Sequence, residues 1–191
     1  MNIFLETNHY ISKTLNNFVL NNHFEKCIWF SSDIPIFFLP IFLVWTWLFW
    51  TYKSKNNEKK YDLLNIFYSV VLAVSINLII QHFFFFERPE SLITPILKHI
   101  PDASFPSDHA AVSFAFLTGL FMAWYKKIGL LYLPFVIIMN TSRIAWWVHW
   151  FFDIIAWMII WIISSIIIFK NKGKLEKLNE FILKITSYIK L

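Results

Sequence analysis

CIWFSSDIPIFFLPIFLVWTWLFW, residues 27–50, decides the fold class. Tryptophans rim it in the way of an interfacial belt. About 20 apolar residues in a helix cross the hydrocarbon core of a bilayer, and tryptophan favours its interfaces. Four more apolar runs follow, at residues 61–86, 110–124, 128–141 and 150–169. Lipid offers no partner to an unpaired backbone group, and the alternation of a barrel strand is absent, so the runs read as helices. The third and fourth are short and are expected to extend into their flanks.

The whole composition agrees. Of 191 residues, 58% are hydrophobic, 20% aromatic and only 15% charged, with a mean hydropathy of +0.55. A soluble domain averages roughly 45–50% apolar and about 25% charged residues. Three glycines and seven prolines exclude collagenous or linker material. A single cysteine, Cys27, excludes an intramolecular disulfide framework and a cysteine-based zinc site. The opening MNIFLETNHY carries Glu6 and lacks the basic start of a secretory signal.

The net charge of +5 does not point to nucleic acid. Lys53, Lys55, Lys59, Lys60, Lys126, Lys127 and six tail lysines put 12 of the 17 basic residues between or after apolar runs on one side. The positive-inside rule makes that side cytoplasmic. Two amphipathic segments flank the bundle. In residues 1–26, Phe4, Ile11, Leu15 and Phe18 share one helical face, which suits a helix in the outer interface. In residues 170–191, Leu175, Leu178, Ile182, Ile185 and Ile189 recur opposite lysines, which suits the inner leaflet. The expected architecture is therefore one all-α integral membrane domain. Residues 27–169 form a bundle of five helices (six with the N-terminal one counted), and the bilayer is the surrounding partner.

The informative polar residues lie on the opposite, periplasmic side, in ERPESLITPILKHIPDASFPSDH (87–109) and SRIAWWVHWFFD (142–153). Ionisable groups at membrane depth are costly and default to a functional reading. Arg88 and Arg143 offer permanently charged forks that suit phosphate oxygens. Ser107 reads as a helix N-cap, and the N–H groups behind it favour anions. His149 and Asp153 are four apart, hence neighbours on one helix face, where the carboxylate fixes the imidazole tautomer. The other imidazole nitrogen then serves as nucleophile or base, with His109 as general acid. Together they read as a metal-free phosphoryl-transfer site. Taken singly, the pieces have plainer readings: a satisfied polar pair, an interfacial anchor, a helix cap. A zinc site from His109, His149 and Asp153 leaves both arginines without a role.

Arg88-Pro89, Pro106-Ser107-Asp108-His109 and Ser142-Arg143-x5-His149-x3-Asp153 resemble, in order and spacing, the three-part signature of the type 2 phosphatidic acid phosphatase superfamily. The resemblance implies that His149 attacks phosphorus, Asp153 orients it and His109 protonates the leaving oxygen. It implies that Arg88, Arg143, Ser107 and the backbone near Asp108 hold the phosphate, without metal or cofactor. Gln81 stands where the family usually has lysine, Asp108 where it has glycine, and Trp147 and Phe151 where glycine and proline are common. Pro-Ser-Asp-His and a missing lysine are also similar to the bacitracin-resistance type of undecaprenyl pyrophosphate phosphatase. Gln81 lies seven residues before Arg88, so on a continuous helix both face the phosphate.

The expected activity is removal of the terminal phosphate of undecaprenyl pyrophosphate at the outer face of a bacterial inner membrane. Phosphatidylglycerol phosphate, phosphatidic acid and lipid A phosphates are the alternative substrates. A silent lipid-phosphate binder and a small transporter subunit are the alternatives of another class. Transporters normally need charged groups near the midplane, and the spans lack them.

Overall fold

The computed structural model describes residues 3–54, 57–84, 89, 104–105 and 107–188. Among the described residues the chain is all helical, without a strand. The helices are α1 (Ile3–Asn21), α2 (Glu25–Asp33), α3 (Phe38–Phe49), α4 (Asn57–Phe83), α5 (Asp108–Met122), α6 (Lys126–Ala145), α7 (Phe151–Lys170) and α8 (Glu176–Tyr188). Glu25–Tyr52, Asn57–Phe83, Lys126–Ala145 and Phe151–Lys170 are long and apolar enough to cross a membrane.

Of the two short runs, one extends and one does not. The fourth grows to the 20 residues of α6, whereas the third, α5, stays at 15. At 1.5 Å per residue, α5 covers only about 22 Å. Local chemistry stops it at both ends. Ser107 caps its start, and Trp124, at φ 64°, turns the chain after its end while the Tyr125 N–H reaches the Leu120 carbonyl at 2.9 Å. The first span is not one continuous helix either. A 3-10 turn, Ile34–Phe37, separates α2 from α3 at Pro35, which has no N–H to give to an α-helical bond. The Pro35 carbonyl accepts the Tyr132 hydroxyl at 3.0 Å, which ties the break to α6. As a result, Asp33 ends α2 at the break within the first span.

Helix α5 is the centre of the bundle, packed by α4, α6 and α7. Its buried Ala110, Ala111, Ala115 and Gly119 keep its surface shallow. A Cβ on Gly119 would lie 3.2 Å from an Ile66 side-chain carbon, so glycine sets the approach of α4. Small residues at helix contacts and interhelical hydrogen bonds replace the hydrophobic drive that lipid cannot supply. Asn140 donates to Ser113 at 3.2 Å, and Ser165 to the Ala115 carbonyl at 2.9 Å. The outer surface is the reverse of a soluble protein's: Trp45 is 74% and Leu131 73% exposed. Lipid is their solvent.

The flanking helices dock on this bundle. Helix α8 buries Asn179, whose side-chain oxygen accepts the Tyr68 hydroxyl of α4 at 2.9 Å. Helix α1 turns a different face inward from the one its apolar residues mark. Ser12 and Val19 are buried and Ile11 and Leu15 pack on the core, but Phe4 and Phe18 stay exposed. The inward stripe includes Asn8 and Asn16, because the turn it meets offers backbone groups to bond.

Candidate active site

The site is built from one local turn and the ends of the helices around it. Helix α6 ends in a Schellman motif: the Val148 N–H bonds the Arg143 carbonyl at 3.0 Å, and the Trp147 N–H bonds the Ile144 carbonyl at 3.0 Å. The His149 N–H also reaches the Arg143 carbonyl, at 3.3 Å. This motif requires a left-handed residue, and Trp147 takes it at φ 59°. Glycine adopts that conformation without strain; a bulky side chain pays roughly 1–2 kcal/mol. Phe151 is the first residue of α7, a position proline suits. The two departures from the family pattern around His149 thus fall where backbone geometry, rather than chemistry, favours glycine and proline.

Helix α1 holds this turn from outside. Asn16 donates to the Ala145 carbonyl at 2.9 Å, and Asn8 accepts the Phe152 N–H at 3.1 Å. One bond satisfies an end of α6 and the other an end of α7. The ring of His9 packs edge-on against Trp150, 4.9 Å between centroids.

His149 is 2% exposed and precedes α7 instead of sitting in it. The expectation that it shares a helix face with Asp153 is therefore corrected. Its Nδ1 lies 2.6 Å from the Ser104 carbonyl oxygen. A carbonyl only accepts, so Nδ1 carries the proton and the lone pair is on Nε2. Asp153 works one step further back. Its Oδ2 accepts the Ser104 hydroxyl at 2.8 Å and the Trp150 N–H at 3.1 Å. Ser104, fully buried, links the carboxylate to the imidazole. No sequence pattern singled it out: it lies 45 residues from His149.

Ser107 caps α5 as its sequence indicates, accepting the Ala110 N–H at 3.4 Å. Asp108 and His109 follow in the first turn. The Asp108 carboxylate accepts a hydrogen bond from the Asn77 side chain of α4, and the Gln81 amide lies 3.5 Å from the same oxygen. An acidic group at a helix N-terminus is favoured by the dipole. Gln81 thus has a bond toward a carboxylate; α4 ends at Phe83, and the expected alignment of Gln81 with Arg88 lies outside the described residues. Arg88 and Pro106 lie outside the described residues.

His109 and Arg143 meet directly. The Arg143 Nη2 lies 3.0 Å from His109 Nδ1, and its Nη1 lies 3.1 Å from Asp33 Oδ1. His109 Nε2 is 3.0 Å from that same Asp33 oxygen. Arginine can only donate, so Nδ1 accepts and the His109 proton is on Nε2, directed at Asp33. Arg143 therefore holds His109 with its side chain and His149 with its carbonyl. This set can bind an anion, offer a proton on His109 and present an imidazole lone pair on His149. Asp33, the one charged residue of 27–50, escapes a reading of the spans as free of charge.

A model of the PAP2 superfamily matches residues 62–177, which include every candidate site residue named from the sequence and exclude Asp33 and α1. The chain is 29% identical over 90 residues to "Bacitracin transport permease protein BcrC" of Bacillus licheniformis, covering 47% of this chain and 44% of that protein. It is 31% identical over 94 residues to "Putative undecaprenyl-diphosphatase YbjG" of Escherichia coli (strain K12), covering 46% of this chain and 47% of that one. The matched part spans about half the length of these curated relatives. No solved structure matches the chain significantly. With the match covering well over half of the sequence, and the helices laid out as above, this multi-pass membrane protein belongs to the PAP2 superfamily.

Proposed function

We propose that the protein is a metal-independent lipid phosphatase that converts undecaprenyl pyrophosphate to undecaprenyl phosphate at the outer face of a bacterial inner membrane. The observation that carries this reading is the Nδ1–H of His149 fixed on the Ser104 carbonyl, which presents Nε2 as a nucleophile. In the first step Nε2 attacks the terminal phosphorus. The bond from phosphorus to the bridging oxygen breaks, and that oxygen takes the Nε2 proton of His109, which acts as an imidazolium: with the Arg143 guanidinium turned onto the phosphate, Nδ1 carries a proton of its own and the donor is left neutral. In the second step water attacks the phosphohistidine, His109 accepts its proton, and orthophosphate leaves as His149 is restored. Arg143, with Arg88 from outside the described residues, holds the non-bridging oxygens. Ser107, Asp108 and Gln81 form the wall beside them. Asp153 acts as a positioning residue through Ser104.

Purified protein assayed for phosphate release from prenyl pyrophosphates and phospholipids is expected to turn over the prenyl pyrophosphate fastest, with EDTA leaving the rate unchanged. Faster release from phosphatidylglycerol phosphate, phosphatidic acid or lipid A would reassign the substrate. Loss in EDTA with recovery in zinc would replace the phosphohistidine mechanism, and no turnover of any lipid would favour a silent binding protein.

The orientation rests on the lysine-rich loops. Lys59 and Lys126 belong to the bundle end opposite His109 and His149. A reporter fused after residue 55 is expected to read as cytoplasmic and one after residue 98 as periplasmic. The reverse pattern would put the site inside.

A further inference from the structure

Asp33 is a carboxylate in a place where a phosphatase needs an anion to bind. It is the last residue of α2, where the helix dipole disfavours negative charge, so helix stability does not explain it. It also precedes the 3-10 turn Ile34–Phe37, yet its side chain makes no capping hydrogen bond there. Instead, one oxygen, Oδ1, faces both Arg143 Nη1 at 3.1 Å and His109 Nε2 at 3.0 Å. The oxygens of a bound pyrophosphate call on the same two donors: a guanidinium for a non-bridging oxygen and a proton-bearing imidazole for the bridging one. Asp33 reaches them from 110 residues before Arg143, so the contact is a product of the fold.

Building on the phosphatase reading, we propose that Asp33 fills an oxygen position of the phosphate site while it is empty and thereby sets the site's affinity for phosphate. Substrate must displace the carboxylate before His109 can give its proton to the leaving oxygen. The geometry allows this. The Asp33 side chain is 58% exposed, against 9% for Arg143 and 21% for His109, so it is the least enclosed of the three groups. The same competition weakens retention of the orthophosphate product, because a site open for a fraction of the time binds correspondingly less tightly.

The test uses orthophosphate and orthovanadate as probes on the purified full-length protein in detergent, against Asp33→Asn. The amide keeps the size and removes the charge. Asp33→Asn is expected to bind both anions tighter, about five- to tenfold, which corresponds to a seat open roughly a tenth to a fifth of the time. Linkage requires a second signature: the anions raise the melting temperature of the variant more than that of the wild type. Asp33→Ala is expected to change in the same direction, which guards against an amide that merely misplaces the turn. Unchanged or weaker anion binding in both variants overturns the proposal and makes Asp33 a support for His109 and Arg143. If the wild type binds neither anion and releases no phosphate, the phosphatase reading fails and this proposal with it. A wild type that binds and turns over, with variants that gain nothing, fails the proposal alone.

Discussion

His149→Ala is expected to lower turnover by roughly a thousandfold or more, since the nucleophile and its acid act as one unit. The substitution removes the group that would form the bond to phosphorus, and nothing else in the turn replaces it. The fold should survive. The side-chain hydrogen bond from His149 to Ser104 is worth about 1 kcal/mol, while the backbone bond of His149 to Arg143 remains. The measurement is phosphate release by the purified variant, paired with rapid-quench trapping of labelled protein. Wild type should yield an acid-labile phosphoprotein and His149→Ala none. Near-normal turnover in the variant would remove His149 from the chemistry.

Arg143→Ala is expected to cost about 3 kcal/mol, roughly a hundredfold in kcat/KM, at one to two charge-assisted bonds lost from the transition state. Arg143 also holds His109 Nδ1, so its loss loosens the general acid as well as the phosphate. Gln81→Ala should be much milder, a loss of about 1 kcal/mol. The Gln81 amide lies 3.5 Å from Asp108, a long and weak bond that Asn77 backs up on the same oxygen. Steady-state kinetics on the two variants decides the order. If Gln81→Ala proves as damaging as Arg143→Ala, Gln81 has taken over the part of the family lysine.

Several elements of the site were legible because they are made by neighbours in the chain. Ser107 caps α5 through a hydroxyl three residues from the amide it accepts. Arg143 and His149 are brought to one turn by six residues of sequence, so their spacing carries the arrangement. The family resemblance rested on such segments. The His149–Asp153 pair shows where a local rule misleads. The i,i+4 relation holds only inside a helix, and the helix starts after His149.

The sequence by itself determined the membrane class, the approximate spans, the α5 cap and the family signature. The first three follow from hydropathy, periodicity and local hydrogen bonding, whose energies depend on residues close in the chain. Only the tertiary structure decided which distant groups complete the site. Ser104 stands between Asp153 and His149, Asp33 meets both Arg143 and His109, and Asn8 and Asn16 of α1 hold the turn. None of these is fixed by a local preference. They depend on how closely the helices approach, which the buried alanines and Gly119 of α5 permit, and on where Pro35 breaks the first span. An unpaired polar group inside a bundle is costly, so packing selects the partners, and a partner 45 to 144 residues away leaves no spacing to read.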